Sequence, residues 1–462
     1  LLLSKTAWNG VTGKRRSRVT DRTSCKQTGI GSGSSAGRRT DAFFCVKKMA
    51  DRQRTIFWGW YVVLGAFLVL AINYGVRYSF GIFLKPMAEE YGWSRSVISL
   101  GASFNMLVYS FCSIFVGKMV DRVAPGRIIT AGALIVSLSL FLAAFVQNPL
   151  TFYLAYGLLC GIGSAGMGVV VCNSSVAKWF HKKRGTAVGL AAMGISGGAM
   201  ALTPLAGYIV KIYGWQMGFL SLSVMSFLIG VVLSRVFFRK TVPEAYGLYP
   251  DGEQEAWDTI EEKADGDPGR LSRRVVIRNP QFWIMAASFG LSYLAIMSVF
   301  IHQVPYALDH GITKVAAAFS LAVVSCSAFF GQFFFGWLSD RIKDSKYAAA
   351  LGFFIMSLGM YLLLNMKSLE MLYFFAIVFG FGYGCLAPMT PILLADRFGR
   401  HALGAVYGLV TFFIGAGGSI GPFLAGYMYD RFGSYGHVWL FNIIILLCVT
   451  TAILSLKPKK SR

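Results

Sequence analysis

The chain has 462 residues, of which 55% are hydrophobic and 14% charged, with a formal net charge of +23. Soluble domains carry roughly 25% charged residues, whereas apolar runs of 20 or more residues recur here, each long enough to cross a ~30 Å hydrocarbon core at ~1.5 Å per residue. These values exclude a soluble globular enzyme and predict a polytopic helical membrane protein.

Residues 1–48 hold 11 Lys/Arg against two Asp, are rich in Gly, Ser and Arg, and lack apolar periodicity. They read as a disordered or spurious N-terminal extension, with Met49 a natural start. The alternative is a targeting peptide, although no apolar core followed by a cleavage site is present. Twelve spans follow, at about 57–84, 95–116, 128–147, 151–176, 185–210, 216–238, 281–308, 315–337, 347–366, 370–394, 402–429 and 435–456. A polar stretch, 239–280, separates six from six and is predicted to be a cytosolic linker with a short surface helix. The N-terminal half is then 49–238, and the C-terminal half, 281–462, ends in a short basic tail. The predicted fold class is all-α, with twelve transmembrane helices in two pseudo-symmetric halves.

Lys and Arg set the orientation. From Met49 onward, 26 fall on the side shared by both termini and six on the other. Both termini are therefore placed in the cytoplasm, with the protein a multi-pass component of the cell membrane. The charge is explained by topology, so no nucleic-acid partner is expected; the lipid bilayer is the surrounding medium. Eight scattered cysteines form no CxxC pair and are read as apolar packing residues. No metal or cofactor is expected.

The halves repeat. Sliding the sequence by 219 residues aligns Pro86 with Pro305, Gly92 with Gly311, Gly189 with Gly408 and Gly214 with Gly433. The same offset superposes Gly117, Asp121 and Arg122 on Gly336, Asp340 and Arg341. Parallel repeats of this kind belong to transporters, whose substrate sites lie near the midplane between the halves. Pro86 and Pro305 are expected to break or terminate helices 1 and 7 near their outer ends.

The loops GKMVDRVAPGR (Gly117–Arg127) and GWLSDRIKDSK (Gly336–Lys346) form a candidate gate, comprising Gly117, Asp121, Arg122, Arg127, Gly336, Asp340 and Arg341. Glycine allows a neighbouring helix to come close, and the aspartate can meet a helix N-terminus or a basic partner. These loops resemble the loop 2–3 signature of the major facilitator superfamily, in both halves. Within it, the chain is most similar to the monocarboxylate transporter family and its microbial relatives near the oxalate/formate antiporters. Trp58, Gly59, Trp60, Gly65, Ala66, Phe67, Tyr74 and Ser79 resemble that family's first span, with Thr55 in place of the acidic residue before it. In WFHKKRGTAVGLAAMG (Trp179–Gly194), Phe180, Lys182, Arg184, Ala187, Gly189, Ala191 and Gly194 resemble its second signature. The resemblance implies carriage of small carboxylates, often with a proton. The helix 1 lysine of the animal carriers is replaced by Tyr78, and the charged residues of helices 8 and 11 have no counterpart.

Arg77 lies roughly 20 residues into the first span. An ionisable residue there is a functional-site hypothesis by default, and a guanidinium is suited to a carboxylate. The candidate substrate contacts are Arg77, with Asn73, Tyr74 and Tyr78 near it on the helix, Asn173 in helix 4 and Tyr383 in helix 10; the alternative for Arg77 is backbone satisfaction or snorkelling. Asn105, Tyr109, Ser196, Tyr293, Thr390 and Tyr407 are further polar candidates for the cavity wall. His302 in helix 7 is the proton-coupling candidate, or else a structural histidine, and no span core contains Asp or Glu. No catalytic constellation is present in the sequence. The expectation is a secondary active transporter for a small monocarboxylate or related organic anion, with a proton or counter-anion as coupling species. Alternatives are an exchanger or uniporter for another organic acid and, from a different class, a non-transporting sensor.

Overall fold

The computed structural model describes residues 57–239, 243, 249–252, 273–399 and 403–458. The expectations for residues 1–48, and those for most of the linker, fall outside this range. The spans are α1 Trp58–Tyr91, α2 Arg95–Val120, α3 Pro125–Ala143, α4 Pro149–Trp179, a stretch Arg184–Phe237, α7 Pro280–Asp309, α8 Lys314–Arg341, α9 Ser345–Leu364, α10 Leu369–Phe398, α11 Leu403–Phe432 and α12 Gly436–Leu454. The stretch Arg184–Phe237 has 54 residues, about 80 Å of helix, more than twice a hydrocarbon core. Gly214 breaks it with φ 86° and ψ 166°, a conformation L side chains rarely adopt. The break divides it into α5 (184–213) and α6 (215–237), which completes twelve spans. Of the linker, Pro250–Gly252 forms a turn and Arg273–Arg278 a short helix.

Local chemistry sets the ends. Asn148, Ser368, Asn279 and Asp344 cap α4, α10, α7 and α9, each side chain accepting from a first-turn N–H, which satisfies an otherwise orphan donor. Pro86 and Pro305 neither break nor end their helices; both lie inside α1 and α7. A proline near a terminus forfeits only one hydrogen bond. The helices stop instead at Gly92 (φ 64°) and Gly311 (φ 77°), partners at the repeat offset.

The halves meet through two equivalent helix pairs, α2 with α11 and α5 with α8. Gly117 lies against Gly404 and Gly408, and Gly336 against Gly185 and Gly189. Each set maps onto the other by 219 residues. Such small-residue contacts let backbones approach within a membrane, where apolar side chains gain nothing over lipid. Among the described residues three spans are interrupted, the first of them α1, between Trp58–Tyr78 and Phe80–Tyr91. In α4 a π turn, Tyr153–Leu159, is followed by a break between Cys160–Gly166 and Val169–Trp179. In α10 Leu369–Tyr383 and Leu386–Phe398 are separated by Gly384 and Cys385, which keep right-handed helical dihedrals, so the chain there is only loosened. Discontinuous helices are a recurrent mark of transporter binding regions.

Candidate functional site

Arg77 projects between the halves. One terminal nitrogen donates to the Met106 Sδ of α2 at 2.7 Å. Its guanidinium carbon lies 4.4 Å from the Tyr109 ring centroid and 5.5 Å from that of Tyr74. The Tyr74 and Tyr109 hydroxyls are 3.3 Å apart, and the Tyr74 and Tyr78 rings are 6.0 Å apart. From the other half, Tyr293 of α7 lies close enough to interact electrostatically with Arg77, and Tyr383 of α10 approaches the Tyr78 hydroxyl. No carboxylate pairs with Arg77 among the described residues. Aromatic faces stabilise the cation by about 0.5–2 kcal/mol each, but a thioether and two rings leave most of its five N–H donors for a ligand.

The other predicted contacts are placed differently. The Asn73 Nδ2 donates to the Ser164 carbonyl at 3.2 Å, fastening α1 to α4, and its side chain is buried. Asn173 donates across the halves to the Ala387 carbonyl at 3.4 Å, with its Oδ1 buried and unpartnered. Asn105 and Thr390 are likewise turned to backbone carbonyls, of Tyr156 and Leu386. Met106 is the contact that sequence reading missed, because a methionine in an apolar span carries no signal.

The motif loops form a double clasp between the halves. Asp121 accepts from the Ala405 and Gly404 amides at 2.8 and 3.2 Å, in the first turn of α11. Asp340 accepts from the Gly185 and Thr186 amides and from the Thr186 hydroxyl, each at 2.7 Å, in the first turn of α5. Each half's carboxylate thus caps a helix of the other half, where the exposed N–H groups and the helix dipole favour an anion. Lys178 pairs with Asp121 at 2.8 Å, and Arg184 of α5 reaches Asp396 of α10 at 3.5 Å. The arginines of the motif do not join in. Arg122 is exposed, Arg341 lies over its own helix's Trp337 ring at 4.7 Å, and Arg127 lines a groove between α3 and α6. Lys178 and Arg397 stand 219 residues apart, a signal the repeat carried but loop composition obscured. Arg397 departs from the symmetry by binding Asp344, at 2.7 and 2.9 Å.

A family model described as Major Facilitator Superfamily matches residues 66–366 and 294–462. The chain belongs to the major facilitator superfamily. Among this membrane transporter's relatives is monocarboxylate transporter 13 of Rattus norvegicus, 26% identical over 82% of this chain and 84% of that protein. An uncharacterized facilitator-type transporter of Bacillus subtilis, YcxA, is 24% identical over 86% of this chain and 95% of its own. The fold matches that of the proton:xylose symporter XylE bound to 6-bromo-6-deoxy-D-glucose, with a TM-score of 0.73 and 13% identity, over 87% of this chain and 97% of that one.

In this facilitator His302 has both ring nitrogens engaged. Nε2 is 3.0 Å from the Pro422 carbonyl, which can only accept, so Nε2 donates. Nδ1 lies 3.1 Å from the Tyr435 hydroxyl. These two contacts tie α7 to α11 and to the start of α12, all within the C-terminal half.

Proposed function

We propose that the protein is a secondary carrier for a small monocarboxylate, bound between the halves by Arg77 and moved by alternating access. The observation that carries this reading is the Arg77 guanidinium, ringed by tyrosines of both halves and without an acidic partner among the described residues. The carboxylate takes the free donors of the fork, and Tyr78 and Tyr383 close over it from opposite halves. Similarity to proteins named monocarboxylate transporters supports the substrate class. The double clasp is the gate on the motif side, and the excess of Lys/Arg on that side supports its assignment, with both termini, to the cytoplasmic face of the cell membrane. The state described is therefore closed toward the cytoplasm.

Anion exchange is the coupling that the chemistry favours. The span cores hold no Asp or Glu, and His302 already has two partners. Proteoliposomes are expected to accumulate labelled lactate or a longer monocarboxylate, with uptake raised several-fold by unlabelled monocarboxylate inside and unchanged by an inward proton gradient. His302→Gln is expected to retain this behaviour and to lose about 1–2 kcal/mol of stability in thermal unfolding. Uptake that rises with the proton gradient in the native protein, and loses that rise in His302→Gln, would overturn the exchange reading. Absence of monocarboxylate uptake under every gradient would overturn the substrate.

A further inference from the structure

On the motif side, away from the clasp, α3 begins where α6 ends. The two helices are sutured there. The Gly126 amide donates to the Phe238 carbonyl at 2.9 Å, and the Thr130 and Ser234 hydroxyls are 2.7 Å apart. A Cβ on Gly126 would strike the Phe238 carbonyl, so the approach requires glycine. The small residues leave a groove of about 600 Å³ whose floor is Gly126, Thr130 and Ser234, and whose charged wall is Arg127, Arg235 and Arg239. Among the described residues, no acidic side chain lines it. The Arg239 Nε donates to the Arg235 carbonyl at 2.9 Å, which holds that guanidinium over the end of α6.

Below the arginines the groove turns apolar. Arg127, Ala131, Leu134, Leu138 and Phe141 follow one another at three- and four-residue steps down an exposed face of α3, and Arg235, Val232, Leu228 and Val224 do the same on α6. A cationic mouth at the membrane–water boundary, continuous with two hydrocarbon stripes, has the polarity of a phospholipid. Three like charges gathered together repel one another, and a phosphodiester relieves that repulsion. Arginine is matched to phosphate by its planar fork, and basic pockets between transmembrane helices are recognised headgroup sites.

We propose that the α3–α6 groove is a binding site for an anionic phospholipid, with its phosphodiester on Arg127, Arg235 and Arg239 and an acyl chain along Leu134 and Leu228. Each guanidinium near an anionic lipid favours it about five-fold, so three favour it on the order of a hundredfold over a zwitterionic lipid. The test is native mass spectrometry of the full-length protein in detergent, given equal dioleoylphosphatidylglycerol and dioleoylphosphatidylcholine. The native protein is expected to retain phosphatidylglycerol with a strong preference. The triple variant Arg127→Gln, Arg235→Gln, Arg239→Gln is expected to lose that preference while remaining monodisperse, and the triple lysine variant to keep part of it. Equal retention of both lipids, or undiminished preference in the glutamine variant, would overturn the site. Displacement of the lipid by millimolar inorganic phosphate as readily as by added phosphatidylglycerol would overturn the lipid as the ligand and leave a free-phosphate site.

Discussion

Arg77→Ala is expected to reduce monocarboxylate uptake by two to three orders of magnitude while leaving the fold intact. The change removes the charge-assisted hydrogen bonds to the carboxylate, an interaction worth about 2–5 kcal/mol when desolvated, and each 1.4 kcal/mol is a factor of ten. Folding survives because the native partners of Arg77 are a thioether and two rings, and none becomes an unpaired charge when it leaves. Arg77→Lys keeps the charge but not the planar fork, so an intermediate loss, mainly in apparent affinity, is expected. Initial rates in proteoliposomes, beside thermal unfolding of each variant, provide the check. Uptake at the native rate in Arg77→Ala with unchanged unfolding would remove Arg77 from the substrate site.

The second large effect belongs to the clasp. Asp340→Ala strips three accepted hydrogen bonds from the first turn of α5, and Gly117→Leu drives a side chain into the Gly404 carbonyl. Both penalise the closed motif side and leave the open side untouched. A loss of about 2–4 kcal/mol from the closed state shifts the population on the order of 30- to 1000-fold toward opening and slows the cycle at least tenfold. Arg122 and Arg341 are exposed and lie in different halves, so spin labels placed there, in a background without native cysteines, read the separation of the clasp. Distance distributions identical to those of the unmutated clasp would refute the gate.

How much was legible depends on whether a contact is written along the chain or across it. The repeat offset is a property of residue order alone, and it pairs Gly117 with Gly336 and Asp121 with Asp340 without reference to any fold. The acceptors of that pairing, the first turns of α5 and α11, obey the same offset. The residues around Arg77 were legible as polar candidates within their own spans, but not their convergence. Tyr109 and Tyr293 come from α2 and α7, Tyr383 of α10 reaches Tyr78 and Tyr293, and no spacing records which faces of separate helices converge. Asn73 shows the same limit: its i,i+4 relation to Arg77 is written in the sequence, whereas the approach of α4, which takes its amide, is not. Arg127 misled because membership of a loop motif does not say which side of the next helix's first turn faces the partner half.

The charge on Arg77, which has no acidic partner among the described residues, also has an electrical consequence. With a monoanion on Arg77 the occupied site is neutral, whereas the vacant site carries one positive charge through the same conformational change. A membrane potential acts with up to about 2.3 kcal/mol per elementary charge per 100 mV. Exchange of one loaded carrier for another should therefore be indifferent to voltage, while net uptake, which requires return of the vacant form, should follow it. Fixing the potential with potassium and valinomycin separates the two modes, and exchange as voltage-sensitive as net uptake would show that Arg77 crosses with its charge already cancelled. An interior-negative potential draws the vacant positive site toward the cytoplasm. It thereby acts as a bias on which side of the membrane the carrier waits.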